Sequence, residues 1–191
     1  MLSMSTARSR VLPEVVRTKD GAEYPINANF RTILKILRLF ADDDVMERQK
    51  LVLTCKWFYP ETQPDDLNLA LTYFQTFLKG VPRPSQTTHE VVREVKQFDY
   101  EFDGNEIWAS FMAVYHIDLL EVEFLHWYKF QVLLVQLPAE CAFNSKIELR
   151  FRDLKGLKGD RLTKTQRAKQ AVQLPVKLSQ KEQDVLAKLL N

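Results

Sequence analysis

The chain has 191 residues, of which 46% are hydrophobic and 27% charged, a composition typical of one globular domain rather than of a disordered chain. It has only five glycines and no Gly-rich phosphate loop, and its longest nearly apolar run, residues 107–115, is too short to cross a bilayer. Residues 1–143 carry 15 basic and 20 acidic side chains, whereas residues 144–191 carry 12 basic and 5 acidic ones. We therefore expect a soluble intracellular protein with a basic C-terminal part and no membrane contact.

The N-terminal third predicts a hairpin followed by a helix. Residues 1–10 are small, polar and basic, which favours a disordered leader over residues 1–11. Lys19-Asp20-Gly21 then separates two short β-capable runs, which is a strong local signal for a hairpin, and Pro25 places its strand at a sheet edge. Asn27 or Asn29 can cap a helix over residues 30–40, whose apolar spacing predicts one buried face of Phe30, Ile33, Leu34, Leu37 and Ala41.

Two more helices are predicted before residue 80. Asp44-x-x-Glu47 has the pattern of a capping box for a helix over residues 45–59, which we favour over a cation site at Asp42-Asp43-Asp44. A regular apolar stripe predicts the next helix from Leu67 to Gly80. Residues 81–88 contain two prolines and predict an exposed loop, and residues 89–97 could form a short helix or strand.

The second half is rich in aromatic residues, which we interpret as core. Alternating aromatic and acidic residues over 98–102 predict a strand. Asp103 then begins a helix with one face formed by Trp108, Phe111, Met112 and Tyr115. Asp118 begins another helix, which continues to Leu137 before Pro138.

The C-terminal part predicts three short helices. The first covers residues 147–154, and Thr163-x-x-Gln166 caps a second, basic one. Ser179-x-x-Glu182 caps a terminal amphipathic helix with the apolar residues Val185, Leu186, Leu189 and Leu190. The fold class is thus mainly helical (α+β): a core domain over residues 12–143 with an N-terminal hairpin, and a basic, loosely packed helical extension over residues 144–191. The extension is part of the same domain or a flexible tail.

The sequence offers few groups for catalysis or metal binding. Glu123-x-x-His126 matches one element of a di-iron helical bundle, but the second element that such a site needs is missing. Cys55 and Cys141 lack any CxxC or histidine spacing and predict buried thiols of a reducing compartment. We expect no catalytic residue, no cofactor and no metal, and hence a non-enzymatic interaction domain.

The basic segment over residues 146–169 holds nine lysines and arginines against three acids. That charge would allow contacts with nucleic acid phosphates. No groove-reading motif and no interleaved aromatic residues accompany it, so a solvated or protein-facing surface is favoured. A nucleic-acid-associated protein stays the alternative.

Several blocks occur in an order and spacing that resemble a small phage protein family of the gp-fifteen type. The blocks are Gly21-x-Glu23-Tyr24-Pro25-Ile26-Asn27-x-Asn29-Phe30-Arg31, Phe58-Tyr59-Pro60, Phe98-Asp99, Ile107-x-Ala109-Ser110-Phe111, Tyr115-x-Ile117-Asp118-Leu119, Leu125-His126-Trp127-x-Lys129-Phe130, Leu137-Pro138 and Ile147-x-x-Arg150. The resemblance covers roughly residues 12–175. It departs at Tyr128, where tryptophan is expected, and at His116, where glycine is common.

The resemblance implies a tail assembly chaperone of long-tailed phages. Such a protein would bind the tape measure protein in the host cytoplasm, keep it soluble without ATP, and be absent from the mature virion. A frameshifted longer form would recruit the major tail protein, and self-association into a homo-oligomer is an open alternative. We predict that Trp108, Phe111, Leu125 and Trp127 hold the core. The predicted partner-binding residues are Lys155, Lys158, Arg161, Lys164, Arg167, Val185, Leu186, Leu189 and Leu190.

Overall fold

The computed structural model describes residues 12–80 and 97–175. Within these ranges it contains one antiparallel hairpin and seven helices, which confirms the mainly helical fold with an N-terminal hairpin. The predicted leader, the loop over 81–88, all but the last residue of the element over 89–97 and the terminal helix with its four apolar residues lie outside the described residues. The elements are β1 (Val15–Arg17), β2 (Glu23–Pro25), α1 (Phe30–Ala41), α2 (Glu47–Phe58), α3 (Leu67–Lys79), α4 (Gly104–Tyr115), α5 (Trp127–Val135), α6 (Ala142–Phe151) and α7 (Gly159–Ala171).

The hairpin forms where the Asp-Gly pair predicts it. Val16 lies opposite Tyr24 in the antiparallel register, and its side chain is buried. Gly21 adopts a φ of 87°, a left-handed conformation that glycine reaches at little steric cost, and its N–H donates to the carbonyl of Thr18 at 3.1 Å. The turn chemistry therefore sets the register of the two strands.

Helices α1 to α3 follow the local capping signals closely. The Asn29 side chain accepts the N–H of Arg31 at the start of α1, and the Asp66 side chain does the same for Asn68 at the start of α3. Gly80 ends α3 as predicted. In α1 the buried residues are Phe30, Ile33, Ile36 and Leu39, so the inward face is rotated from the predicted one, with Ala41 exposed.

Aromatic packing joins these helices into one core. The ring of Phe58 meets that of Phe74 edge to face at 5.0 Å, and Phe30 stacks on Phe130 of α5 at 4.9 Å. The Tyr59 hydroxyl donates to the carbonyl of Ala70 at 3.0 Å, which ties the end of α2 to α3. Burial raises the pKa of Tyr59 far above its ordinary value, so the hydroxyl stays a donor.

Two predicted caps are wrong. Helix α2 begins at Glu47 rather than at residue 45, and the N–H of Met46 donates to the Gln49 side chain at 3.3 Å, so Asp44 does not cap it. Thr163 lies inside α7, where its hydroxyl approaches the carbonyl of Gly159. In both cases the helix begins at a different residue from the one with the best capping pattern.

Residues 98–102 form no strand. The Asp99 carboxylate accepts the N–H groups of Glu101 and Phe102, which folds the segment into turns before α4. In α4 the buried side chains are Ile107, Ser110 and Phe111, whereas Trp108 and Met112 are exposed. The prediction that Trp108 holds the core is therefore wrong, while Phe111, Leu125 and Trp127 are buried as predicted.

The predicted helix from Asp118 to Leu137 is also shorter than expected. Residues 116–126 form a connection without helix, and α5 begins only at Trp127. Asp118 accepts the N–H of Leu120 at 2.8 Å, a local bond that competes with helix formation.

The described residues cluster into two compact units. One comprises residues 12–80 and 115–137, and the other comprises residues 97–114 and 138–175. The first contains the hairpin, α1 to α3 and α5, and the second contains most of α4 together with α6 and α7. The division predicted at residue 143, between a core domain and an extension, stays a prediction.

Replacing His116 by glycine should raise the free energy of unfolding by up to about 1 kcal/mol. His116 has a φ of 56°, a left-handed conformation that costs an L-residue roughly 1–2 kcal/mol. Glycine avoids this cost, but its greater conformational entropy in the unfolded chain offsets part of the gain. Urea denaturation of the wild type and of H116G measures the change. The control is H116V, whose branched side chain should lower stability, and an H116G variant less stable than the wild type would contradict the explanation.

Candidate partner-binding surface

Helix α7 has no buried side chain. Its half-buried residues are Leu162, Thr165, Lys169 and Val172, which recur at helical spacing and mark the side turned toward α6. The exposed stripe beside this side consists of Asp160, Arg161, Lys164, Arg167, Ala168 and Ala171, which we call the α7 outer face. A helix this polar is a surface element, and its outer face carries three cations within about 9 Å along the axis.

The structure brings only some of the predicted partner-binding residues together. Arg161, Lys164 and Arg167 share the α7 outer face. Lys155 lies in the preceding turn, where its N–H donates to the Asp153 carboxylate, and Lys158 is the residue just before α7. Both are exposed and extend the basic surface at the N-terminal end of the helix. Val185, Leu186, Leu189 and Leu190 lie outside the described residues.

Arg150 of α6 holds the end of α7 in place. Its guanidinium donates to the carbonyl of Val172 at 2.7 Å and to the carbonyl of Gln97 at 2.7 Å. The Lys169 ammonium adds a bond of 2.7 Å to the carbonyl of Arg152. Lys169 is therefore a structural cation, which separates it from the three cations of the outer face.

The same guanidinium makes a buried ion pair with Asp103. Two nitrogens of Arg150 contact the two carboxylate oxygens of Asp103 at 2.7 and 3.1 Å, and Lys146 adds a third contact at 3.0 Å. Asp103 is fully buried. Burial raises the pKa of Asp103, but the hydrogen bonds from Arg150, from the Asp99 N–H and from Lys146 outweigh that effect and hold its pKa below the ordinary value. The charged pair thus ties the start of α4 to α6 and α7.

A second surface is the connection over residues 118–124, for which the sequence predicts a helix. Leu120 and Phe124 are 70% and 53% exposed, and Glu121 and Glu123 are exposed between them. We call residues 118–124 the acidic loop. Two features of the sequence could have predicted this non-helical connection. It lacks a steady helical period, and the Asp118 side chain can bond to nearby backbone groups.

Arg31 fixes the backbone of the acidic loop. Its guanidinium donates to the carbonyls of Leu119 and Leu120 at 2.8 and 2.9 Å and to that of Val122 at 2.5 Å. The Asn29 side-chain amide donates to the carbonyl of Glu123 at 3.1 Å. Since Arg31 and Asn29 bind its carbonyls, the loop keeps a defined shape, while the side chains of Leu120, Glu121, Glu123 and Phe124 face solvent.

The groups that could have carried chemistry have structural contacts instead. His126 is buried and caps α5, where its Nδ1 accepts the N–H of Tyr128 at 3.0 Å. Burial raises the pKa of the Cys55 thiol, and the Cys141 sulfur accepts the N–H of Asn144 at the start of α6. In the described ranges no group of three or more His, Cys, Asp or Glu could hold a metal ion, and no helix is long and apolar enough to span a membrane.

Stability should fall as the pH drops below about 6.5, because His126 must be neutral. Nδ1 accepts a hydrogen bond, so Nε2 carries the proton and donates to the carbonyl of Pro13 at 3.2 Å. Burial lowers the pKa of His126, although the Pro13 bond and Glu14 oppose this. A lowered pKa means that this contribution is complete above the unfolded value near 6.5 and is lost as the pH falls through the folded value.

Urea denaturation between pH 8 and pH 5 would measure that loss, which should reach about 1 kcal/mol, the usual worth of a helix cap. The matched variant is H126N, which keeps a capping acceptor without the titration and should lose less stability over the same range. An H126N variant with the full pH dependence of the wild type would contradict the assignment.

Comparison with known proteins identifies a phage family. The family model described as Bacteriophage Gp15 protein matches residues 12–174. A search of curated proteins and a search of solved structures gave no significant match. The matched range includes both the acidic loop and the α7 outer face.

Proposed function

Because the chain belongs to the Bacteriophage Gp15 protein family, we propose that it is a tail assembly chaperone of a long-tailed phage. It binds the tape measure protein in the host cytoplasm, keeps it soluble during tail assembly and leaves before the virion is mature. It acts without enzymatic activity and without a cofactor. A second contact, with the major tail protein, belongs to the same process.

The observation that supports this proposal best is the α7 outer face. A helix without a buried side chain stabilises the fold little by its own packing, yet α7 is held by Arg150 and Lys169. The proposed contacts with the tape measure are the basic residues Lys155, Lys158, Arg161, Lys164 and Arg167 and the apolar residues Val185, Leu186, Leu189 and Leu190. A long helical partner exposes many repeated sites, and many weak contacts cover it reversibly.

Co-expression with the tape measure protein of the same genome tests the proposal. We expect the tape measure to be soluble and to co-purify with this chain. R161Q/K164Q/R167Q should reduce the co-purified tape measure several-fold, whereas R48Q/K56Q/K79Q removes the same charge from exposed positions of α2 and α3 and should leave it unchanged. A chain truncated after Pro175 tests the apolar residues in the same way.

An insoluble tape measure beside a folded, soluble chaperone would contradict the proposal. If the two triple variants captured equal amounts of the tape measure, the α7 outer face would not be part of the binding surface. The same basic face favours one alternative, a nucleic-acid-associated phage protein. That function predicts duplex or RNA binding that weakens steeply with salt and is lost in R161Q/K164Q/R167Q.

A further inference from the structure

The acidic loop combines three properties of a docking surface. It exposes two large apolar side chains, Leu120 and Phe124, within five residues of one another. Glu121 and Glu123 place two carboxylates beside them. Its backbone is already fixed by Arg31 and Asn29, so a partner would not have to order it, and that lowers the entropic cost of binding.

The chemistry of the loop selects a basic partner with aliphatic surface. Carboxylates attract lysine and arginine, and the aliphatic stems of these residues cover apolar groups while their charges stay in water. An arginine can also lie over the exposed ring of Phe124. An acidic or a purely apolar partner would leave one half of this surface without a complementary group.

We propose that the occupant of the acidic loop is the α7 outer face of a second copy of this chain. That face provides Arg161, Lys164 and Arg167 against one acid, Asp160, so its net charge is positive. The small residues Ala168 and Ala171 lie beside the cations, so an aromatic ring can approach the helix. The net charge of the sequence has the same division: residues 1–143, which include the loop, carry −5, and residues 144–191, which include α7, carry +7. Charge complementarity between two exposed surfaces of one sequence therefore specifies the pairing.

This contact is heterologous, since the loop of one copy meets a different surface of the next. Such contacts leave a free loop at one end and a free helix face at the other, so copies add in sequence unless the rotation closes a ring. The tape measure protein and the second copy would compete for α7. The inference itself is independent of the tape measure, because it concerns the chain alone.

Sedimentation of the full chain over a wide concentration range tests the pairing. We expect the average mass to rise above that of the monomer with concentration, and the rise to shrink between about 50 mM and about 500 mM salt. E121K/E123K and K164E/R167E should each weaken the association about tenfold or more. The control E61K/D65K reverses two exposed carboxylates near the start of α3 and should associate like the wild type.

Mixing the two reversed variants gives the decisive result. The loop of E121K/E123K is then basic and the helix face of K164E/R167E acidic, so the mixture should regain association that neither variant has alone. Circular dichroism establishes that both variants are folded. A monomeric wild type, association insensitive to either reversal, or a mixture that stays monomeric would overturn the pairing, and none of these results depends on whether the tape measure is bound.

Discussion

Replacing Asp103 by asparagine is expected to lower the free energy of unfolding by about 3–5 kcal/mol, the usual cost of breaking a buried ion pair on one side. The carboxylate is fully buried and accepts bonds from Arg150, Lys146 and the N–H of Asp99. Without its charge, the buried guanidinium of Arg150 faces a neutral amide and keeps its desolvation cost. Urea denaturation at pH 7 measures the loss.

The control for the buried pair is an exposed ion pair on α6, the helix that carries Arg150. Glu148 accepts a bond of 2.7 Å from Arg152, and both side chains are about half exposed or more. E148Q should therefore change stability by less than about 1 kcal/mol. A D103N variant that loses no more than E148Q would contradict the role assigned to the buried pair.

The buried pair also predicts the direction of acid sensitivity. Because the pKa of Asp103 is lowered in the folded protein, its contribution is complete above the unfolded value near 4 and is lost as the pH falls through the folded value. This window lies below that of His126. H126N should thus still lose stability at low pH as Asp103 is protonated, whereas D103N should lack this loss.

Replacing Arg31 by methionine should lower the free energy of unfolding by about 2–4 kcal/mol and free the acidic loop. The guanidinium bonds three carbonyls, and hydrogen bonds to a charged group are each worth roughly 1.5–3 kcal/mol before partial solvation of the carbonyls reduces the total. Urea denaturation measures the loss of stability. Hydrogen exchange measures the release of the acidic loop, as faster exchange of the amides over residues 119–126.

Lysine at position 31 separates charge from geometry. R31K keeps the positive charge, but a compact ammonium lacks the planar fork that reaches three carbonyls, so we expect an intermediate loss. R48M removes an exposed arginine from α2 and should have little effect on stability. If R31K were as stable as the wild type, the loop would be held by charge alone.

Local signals predicted the elements that local contacts build. The Asp-Gly turn, the cap at Asn29 and the glycine that ends α3 all act within a few residues, and the structure has each of them. The strand predicted over residues 98–102 is wrong because an alternating pattern and a turn bonded by Asp99 look alike in sequence. No count of apolar positions distinguishes them.

The candidate surfaces were harder to predict, since distant residues define them. The acidic loop is held by Arg31, which is 88 residues away from Leu119 in sequence. Trp108 and Phe111 fit the same apolar stripe of α4, yet Phe111 is buried and Trp108 is exposed, a difference that the local pattern does not contain. The basic character of α7 was visible in the sequence, but the separation of Lys169 from the outer face was not, because it depends on the carbonyl of Arg152.

The contact between Gly80 and Tyr128 has a consequence for variation in the family. The Tyr128 hydroxyl donates to the carbonyl of Phe77 at 2.7 Å, and a Cβ atom at position 80 would collide with that hydroxyl. Any side chain at position 80 therefore requires the Tyr128 ring to move and break its bond to Phe77, or a different residue at position 128. In relatives that keep this fold, the two positions should covary, with glycine at the first retained wherever tyrosine stands at the second.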